Sequence, residues 1–323
     1  MNRIVLIGNG FDLAHKLKTK YEDFLDWYWL NWGEKLLYSQ KKKETDGLCS
    51  FEIKNNVIAE NWAAVFRNYN IDTPFISTIW KNVINRAKED NELCDFWVSP
   101  FLQQICNSVE TKKWVDIENE YFSLLTEEKI FVDGGHYRPD YKMLNLQLDV
   151  LRYKLVQYLE SESKKEVLVY NEIANKIYCP ITVQEISVAY EGAAFVENKE
   201  PSAIMLLNFN YTNTPEQYIT NPAKVKINYI HGKLDDPQSV IFGYGDELDA
   251  GFKKLQNMNN NECLRQIKSI RYLESENYKK MLKFIDVGPF QIYIMGHSCG
   301  NSDRTLLNTL LKSNYTWKSI SYN

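Results

Sequence analysis

The chain has 323 residues, 44% of them hydrophobic and 25% charged, which is typical of a globular protein that buries a sizeable core. Its formal net charge is −4, so no overall basic field indicates a nucleic-acid partner, and no apolar run approaches the roughly 20 residues of a membrane span. The six cysteines form no CxxC pair and no signal peptide is visible, which predicts free thiols in a cytoplasmic protein.

The first stretch of the chain reads as a strand, a glycine turn and a helix start. Residues 4–7 are a short apolar run suited to an interior parallel strand, and Gly8, Asn9 and Gly10 follow at once. Glycines at such a turn let backbone amides approach a pyrophosphate. Leu13 stands where a third glycine would complete GxGxxG, so an ordinary turn between a strand and a helix is the alternative.

Helical periodicity dominates the middle of the chain. Residues 21–37 carry apolar side chains at helical spacing, 39–50 have the composition of a surface loop, and 55–165 are helical throughout. The helices predicted in that last stretch are 56–68, 76–89, 101–109, 112–127 and 141–162.

Strand character returns in the final third, in short runs at 203–207, 224–230, 240–242 and 291–295. We therefore predict one α/β domain with a Rossmann-like parallel sheet and a large all-helical insertion. The sheet is expected from residues 1–20 and 200–323, and the insertion at about 21–198. In such a sheet, ligand chemistry is expected at the carboxyl ends of the strands.

Small and polar residues follow these strands. Asn210 follows the first of them, His231 and Gly232 follow the second, and Gly296 and Ser298 follow the last. An imidazole can accept a proton near neutral pH, and an amide can hold a hydroxyl or a water, so His231 and Asn210 are candidate catalytic residues. The alternatives are a structural histidine at a strand end and an asparagine that caps the following helix.

Residues 296–300 also match G-x-S-x-G, the nucleophile elbow of α/β-hydrolases. In that fold the acid and the histidine follow the serine along the chain. No histidine follows Gly300, so the usual triad order cannot be built, and only a rearranged triad with His231 would serve. A serine hydrolase is therefore the least favoured interpretation.

Six segments taken in order resemble the AbiH proteins, which are linked to bacteriophage abortive infection. They are GNGFDLAHKLKTKYEDF, WVDIE, LNFNYTNT, YIHGKLDD, FGYGDE and IMGHSCGNSDRTLL. The resemblance runs from residue 2 to about 310. It implies a phage-defence role, with a phage-derived component as the expected trigger.

The AbiH layout in turn looks like a distant relative of the sirtuin-like, NAD-handling domains. The positions similar to their glycine turn, asparagine, catalytic histidine with its glycine, and late Gly-x-Ser are Gly8, Gly10, Asn210, His231, Gly232, Gly296 and Ser298. Zinc-ribbon cysteines are absent, so deacylation is not expected. Thr212 stands where that pattern has an aspartate.

This resemblance implies NAD as ligand or substrate. Cleavage of nicotinamide passes through an oxocarbenium-like state, which needs positioning and charge stabilisation. The expected cofactor-binding residues are Gly8, Asn9, Gly10, Asp12, Gly232, Gly296 and Ser298. The first three would take the diphosphate, and Gly296 and Ser298 would approach the nicotinamide ribose. Asp12 either bonds a sugar hydroxyl or complements the dipole of the first helix.

Two function classes follow. One is an NAD glycohydrolase that depletes the cofactor pool of an infected cell. The other is a non-catalytic nucleotide-binding sensor whose activity lies in a partner or in an oligomer. No spacing of His, Cys, Asp or Glu indicates a metal site, and none is expected. The helical insertion would act as a lid, as an interface between copies, or as a sensor of a phage component.

Overall fold

The structure is a computed structural model, which describes residues 1–38, 43–54, 94–112, 116–126, 130–132, 135–137, 140–182, 199–245, 250–311 and 316–322. It divides into two compact units. The sheet unit comprises Met1–Thr19, Leu159–Lys253 and Gln266–Asn323, and the inserted unit comprises Lys20–Tyr158 and Lys254–Arg265.

In chain order the strands and α-helices are β1 (Asn2–Ile7), α1 (Asn9–Ala14), α2 (Tyr21–Tyr38), β2 (Lys43–Thr45), β3 (Cys49–Ile53), β4 (Cys94–Val98), α3 (Pro100–Lys112), α4 (Ile117–Thr126), β5 (Ile130–Val132), β6 (Gly135–Tyr137), α5 (Tyr141–Glu162), α6 (Asn171–Tyr178), β7 (Ile204–Asn208), β8 (Val225–Tyr229), α7 (Ala250–Asn257), α8 (Lys268–Glu274), α9 (Glu276–Asp286), β9 (Phe290–Met295), α10 (Arg304–Leu311) and β10 (Thr316–Tyr322).

The sheet unit is built on five parallel strands in the order β10-β9-β1-β7-β8. The chain starts in the middle, runs to one edge through β7 and β8, and then returns to the other side for β9 and β10. This is the strand order of the Rossmann fold, and its switch point lies between β1 and β9. The predicted α/β class with a Rossmann-like parallel sheet is confirmed.

Both faces of the central strand are covered, which explains its unbroken apolar run. Ile4 and Leu6 pack into a core with side chains of α9 and α10, such as Met281. On the opposite face, the side chains of β1 pack into a second core with Ile177 of α6. The carboxyl ends of the strands are thereby left as the edge where polar loops gather.

Two predictions about the sheet need correction. Residues 240–242 were expected to form a strand but form a buried loop, in which the Ile241 amide donates to the carbonyl of His231 at 2.8 Å. The fifth strand is instead β10, which pairs with β9 and was not predicted.

The prediction of an all-helical insertion also needs correction. The inserted unit contains the antiparallel sheet β2-β3-β4, which places strands within the predicted 39–50 loop and within the 55–165 helical stretch. A second antiparallel pair joins β5 and β6. The expected helices at 101–109, 112–127 and 141–162 correspond to α3, α4 and α5. Those at 56–68 and 76–89 lie outside the described residues.

Of the helices in the described ranges, none combines the length and the apolar composition that crossing a membrane requires. Five of the six cysteines have described side chains and all five are free, as the sequence predicts: Cys49, Cys106, Cys179, Cys263 and Cys299.

Candidate functional site at the carboxyl edge of the sheet

The loops after β1 and β7 are tied together by Asn210. Its side-chain amide donates to the carbonyl of Gly8 at 3.0 Å, and its backbone amide donates to Oδ1 of Asn208 at 3.1 Å. Asn210 is half-buried and does not cap the short 3₁₀ turn at Thr214–Tyr218, whose start receives no side-chain cap. Two predicted site residues, Gly8 and Asn210, are therefore direct neighbours.

The glycine turn after β1 packs against the backbone that follows β9, at the switch point of the sheet. A Cβ on Gly296 would lie 2.2 Å from the Phe11 nitrogen, and Gly296 has a φ of +69°. The amide of Gly10 donates to the carbonyl of Gly296 at 2.9 Å, and that of Gly8 to the carbonyl of Met295 at 3.2 Å. These glycines let two backbone segments meet.

This packing bears on the expected phosphate-binding role. The amides of Gly8 and Gly10 already donate within the protein, and α1 has only six residues. A diphosphate held in this structure would need other donors, so the role assigned to Gly8, Asn9 and Gly10 stays a prediction. Asn9 is exposed, and its side chain accepts a hydrogen bond from Thr19. Gly232 also has a structural reason, because its φ is +85° and a Cβ there would lie 2.2 Å from the carbonyl oxygen of Ser239.

One polar cluster on this edge surrounds Asp12 and consists of Asp12, Asn210, Thr212 and Thr214. Thr212 Oγ1 donates to Oδ2 of Asp12 at 2.6 Å. Oδ1 of Asp12 is buried and has no hydrogen-bond partner within the part of the chain that the structure describes. Burial raises the pKa of Asp12 from 3.8 to about 6, against the lowering effect of the three neighbouring side chains. We call this set the Asp12 cluster.

A second cluster, the Asp303 cluster, consists of His231, Lys268, Tyr272, His297 and Asp303. Lys268 and Tyr272 lie one turn apart on α8 and both reach Oδ1 of Asp303 at 3.2 Å. Nε2 of His231 lies 3.1 Å from the same oxygen, and Nε2 of His297 lies 3.7 Å from Oδ2. Burial alone would raise the pKa of Asp303, but Lys268 and His231 hold it well below its usual range.

The hydrogen bonds of His231 define its protonation. Nδ1 faces the carbonyl of Phe209 at 3.1 Å, and because a carbonyl only accepts, this nitrogen carries the proton. Burial and the charge of Lys268 lower the pKa of His231, and its Nε2 lies 2.7 Å from Tyr272 Oη. His231 is 5% exposed, and both of its ring nitrogens have partners inside the protein.

The loop after β9 brings His297 to the same edge. The amide of Cys299 donates to Nδ1 of His297 at 2.9 Å, which leaves the proton on Nε2, facing Asp303. The ring of Phe209 contacts both His297 and His231, with centroid distances of 4.0 Å and 5.3 Å. Ser298 is exposed, and the described contacts of the two buried histidines go to other groups.

The structure thus gathers Gly8, Asn210, His231 and Gly296 at one edge, while Asn9 and Ser298 point to solvent-exposed positions. Sequence reasoning missed the partners that define the two clusters, which are Thr212, Lys268, Tyr272 and Asp303. Of these, Asp303 had a usable signal, since it directly precedes α10 in the polar segment after β9. Within the described ranges, no group of three or more His, Cys, Asp or Glu side chains is arranged to hold a metal ion.

The strand order, the two-sided core and the polar carboxyl edge define a doubly wound α/β protein of Rossmann type. The chain matches the family model described as "Bacteriophage abortive infection AbiH" over residues 4–322, nearly its whole length. It therefore belongs to the AbiH family. No curated protein and no solved structure matches it. The likeness to sirtuin-like domains stays a prediction.

Proposed function

We propose that this abortive-infection protein binds a nucleotide, foremost NAD, at the carboxyl edge of its sheet and hydrolyses the N-glycosidic bond of that nucleotide. The observation that carries the proposal is the meeting of Gly8, Asn210 and the loop after β9 at the switch point of a Rossmann-ordered sheet. Nucleotides bind at this position in doubly wound sheets. Depletion of NAD would stall an infected cell.

In the proposed reaction the C1′–N bond breaks and its electron pair leaves with nicotinamide. A water oxygen bonds to C1′ and the water gives up one proton, so the products are ADP-ribose, nicotinamide and a proton. Asn210 is suited to hold the water or a ribose hydroxyl, because among the described residues its amide oxygen makes no hydrogen bond. This residue is also partly exposed, so a ligand reaches it.

His231 is the proposed proton acceptor. With the proton on Nδ1, the lone pair of the neutral ring is on Nε2, which lies 2.7 Å from the hydroxyl of Tyr272. A base role therefore requires that the ligand or its water take the place of the hydroxyl of Tyr272 beside Nε2. The nearby Asp303 carboxylate would then stabilise the imidazolium that forms.

The test is nicotinamide release from NAD by the wild type and two histidine variants. His15 is a matched control, since it is buried, its Nδ1 faces a backbone carbonyl (Phe11) and its Nε2 faces a tyrosine hydroxyl (Tyr218). Among the described residues, His15 has no aspartate partner of the kind that Asp303 provides for His231. We expect His231→Ala to lose at least a hundredfold in kcat and His15→Ala to change kcat little. Equal loss in both variants would reduce His231 to a structural residue.

The second candidate function is a non-catalytic nucleotide sensor. It is favoured by one observation, namely that both nitrogens of His231 are bonded inside the protein. This candidate predicts NAD binding without nicotinamide release, and binding that survives in His231→Ala. We further propose a cytoplasmic site of action, a phage-derived trigger, and assembly of several copies as the activating step. Strong turnover by an isolated monomer would contradict the last of these.

A further inference from the structure

We infer that Asp12 binds a hydroxyl of the ligand's ribose, so that the edge of the sheet recognises ribonucleotides and rejects the forms that lack this hydroxyl. The inference rests on the proposed function and deepens it by naming the group that reads the sugar. It also assigns Asp12 a share in catalysis, because it touches the ring on which positive charge develops.

The unpartnered oxygen of Asp12 indicates a ligand. Asp12 is 1% exposed, and its Oδ1 has no hydrogen-bond partner in the described ranges, whereas Oδ2 accepts from Thr212. Buried polar atoms in native proteins are almost always paired, and a lone one calls for an explanation. A ligand that donates to Oδ1 supplies the missing partner.

The position of this oxygen also favours a ligand as its partner. Asp12 follows Gly10 by two residues, and the side chains that face it are those of Asn210, Thr212 and Thr214. Asn210 is bonded to the carbonyl of Gly8 and is partly exposed. A ligand that engages Asn210 over the glycine turn is therefore next to the unpartnered oxygen of Asp12.

The negative charge of the Asp12 carboxylate indicates which ligand groups it would bind. None of the three side chains facing Asp12 is a cation, so its carboxylate is not neutralised by them. An uncompensated carboxylate in a buried site repels a phosphate and attracts a hydroxyl donor or a positive charge. A ribose offers the hydroxyl in the ground state, and its ring gains positive charge as the C1′–N bond breaks. Hydrogen bonds to sugar hydroxyls strengthen in that transition state.

The experiment compares the wild type with Asp12→Asn, using two probe sets. One is NAD and its analogues that lack the 2′- or the 3′-hydroxyl of the nicotinamide ribose, and the other is ATP with its 2′-deoxy and 3′-deoxy forms. We expect the wild type to bind the ribo form at least tenfold more tightly than one deoxy form, and Asp12→Asn to lose that difference. With NAD as substrate, kcat is expected to fall more than KM rises.

Glu120→Gln is the matched control. Glu120 is also a buried carboxylate, but both of its oxygens accept hydrogen bonds, Oε1 from Ser108 and Oε2 from Gln104. Its substitution is expected to leave the ribose preference unchanged.

The outcomes separate the inference from the proposed function. Absence of NAD turnover by the wild type, with a ribose preference for ATP that Asp12→Asn abolishes, contradicts the hydrolase and supports the inference. An undiminished ribose preference in Asp12→Asn overturns the inference and leaves the hydrolase standing. Binding of no member of either set overturns the inference, and so does a lower unfolding temperature or a failure to fold in Asp12→Asn, because the carboxylate would then be structural.

Discussion

The two buried aspartates at the carboxyl edge, Asp12 and Asp303, have opposite surroundings. Around Asp303 an ammonium, a phenol and two imidazoles face the carboxylate, and its pKa is held well below the usual range. Around Asp12 the carboxylate faces only the uncharged side chains of Thr212, Thr214 and Asn210, its Oδ1 has no partner among the described residues, and burial raises the pKa to about 6.

The difference separates a completed structural network from an incomplete one. A buried charge that is fully paired fixes the elements that supply its partners, here α8 and the loop after β9. A buried charge with a missing partner costs stability in the free protein, and such costs are typical of functional sites. We therefore propose that the Asp303 cluster positions His231 and that the Asp12 cluster recognises the ligand.

The largest expected effect on stability comes from removing the charged partner of Asp303. Lys268→Met would leave the carboxylate of Asp303 buried without its ammonium partner. Loss of one member of a buried ion pair typically costs about 3 to 5 kcal/mol. Denaturant unfolding at pH 7 measures this, and a loss below about 1 kcal/mol would show that the remaining partners suffice.

Removal of the Asp12 charge is expected to change the free energy of unfolding in the opposite direction. Asp12→Asn removes a carboxylate whose pKa rises from 3.8 to about 6 on folding. This rise corresponds to about 3 kcal/mol of lost stability in the wild type at pH 8. An amide oxygen can still accept from Thr212. We expect the variant to be more stable than the wild type by up to that amount, and Asp303→Asn to be less stable. A less stable Asp12→Asn would contradict the comparison.

The pH dependence of the free energy of unfolding also distinguishes the two aspartates. Because the folded pKa of Asp12 lies above its unfolded value, the folded state binds the proton first as the pH falls below about 6. The stability penalty of Asp12 is thus full above pH 6 and vanishes near pH 4. Asp303 behaves in the reverse way, since its folded pKa is depressed and its stabilising contribution is lost on acidification. Unfolding of the wild type and Asp12→Asn between pH 4 and 8 should converge at the acid end, and parallel curves would refute this.

The smallest effect is expected from Thr212→Val. This change removes the 2.6 Å hydrogen bond from Thr212 to Oδ2 of Asp12 and leaves the side-chain volume nearly unchanged. We expect a loss of about 1 to 2 kcal/mol at pH 8 and a further rise in the pKa of Asp12. The double variant with Asp12→Asn tests the contact, because the loss from Thr212→Val should be smaller when the charge is absent.

Much of the fold could be predicted because its signals are local. Residues 4–7 are buried on both faces, so every position is apolar, and α5 carries a regular leucine stripe over Tyr141–Glu162. Strands β2 and β3 were missed since they are short, and the first has the polar sequence Lys43–Thr45. The pairing of β3 with β4 joins residues about 45 positions apart, and no local pattern reports such pairing.

The candidate site divides in the same way. Asn210 and His231 stand next to strand ends, where sequence position alone makes them candidates. Lys268 and Tyr272 come from a helix with no distinctive pattern, and they meet Asp303 because tertiary packing brings α8 to that edge. The incomplete pairing of Asp12 is likewise a property of three-dimensional contacts, which the helical position of the residue does not predict.

The most direct test of ligand recognition by Asp12 is a carbon-13 NMR titration of its side-chain carboxyl, in the free protein and with saturating NAD. We expect a midpoint near pH 6 in the free protein, and a lower one with NAD because a hydroxyl donated to Oδ1 stabilises the carboxylate. A midpoint near 4 in the free protein, or one that NAD leaves unchanged, would contradict it.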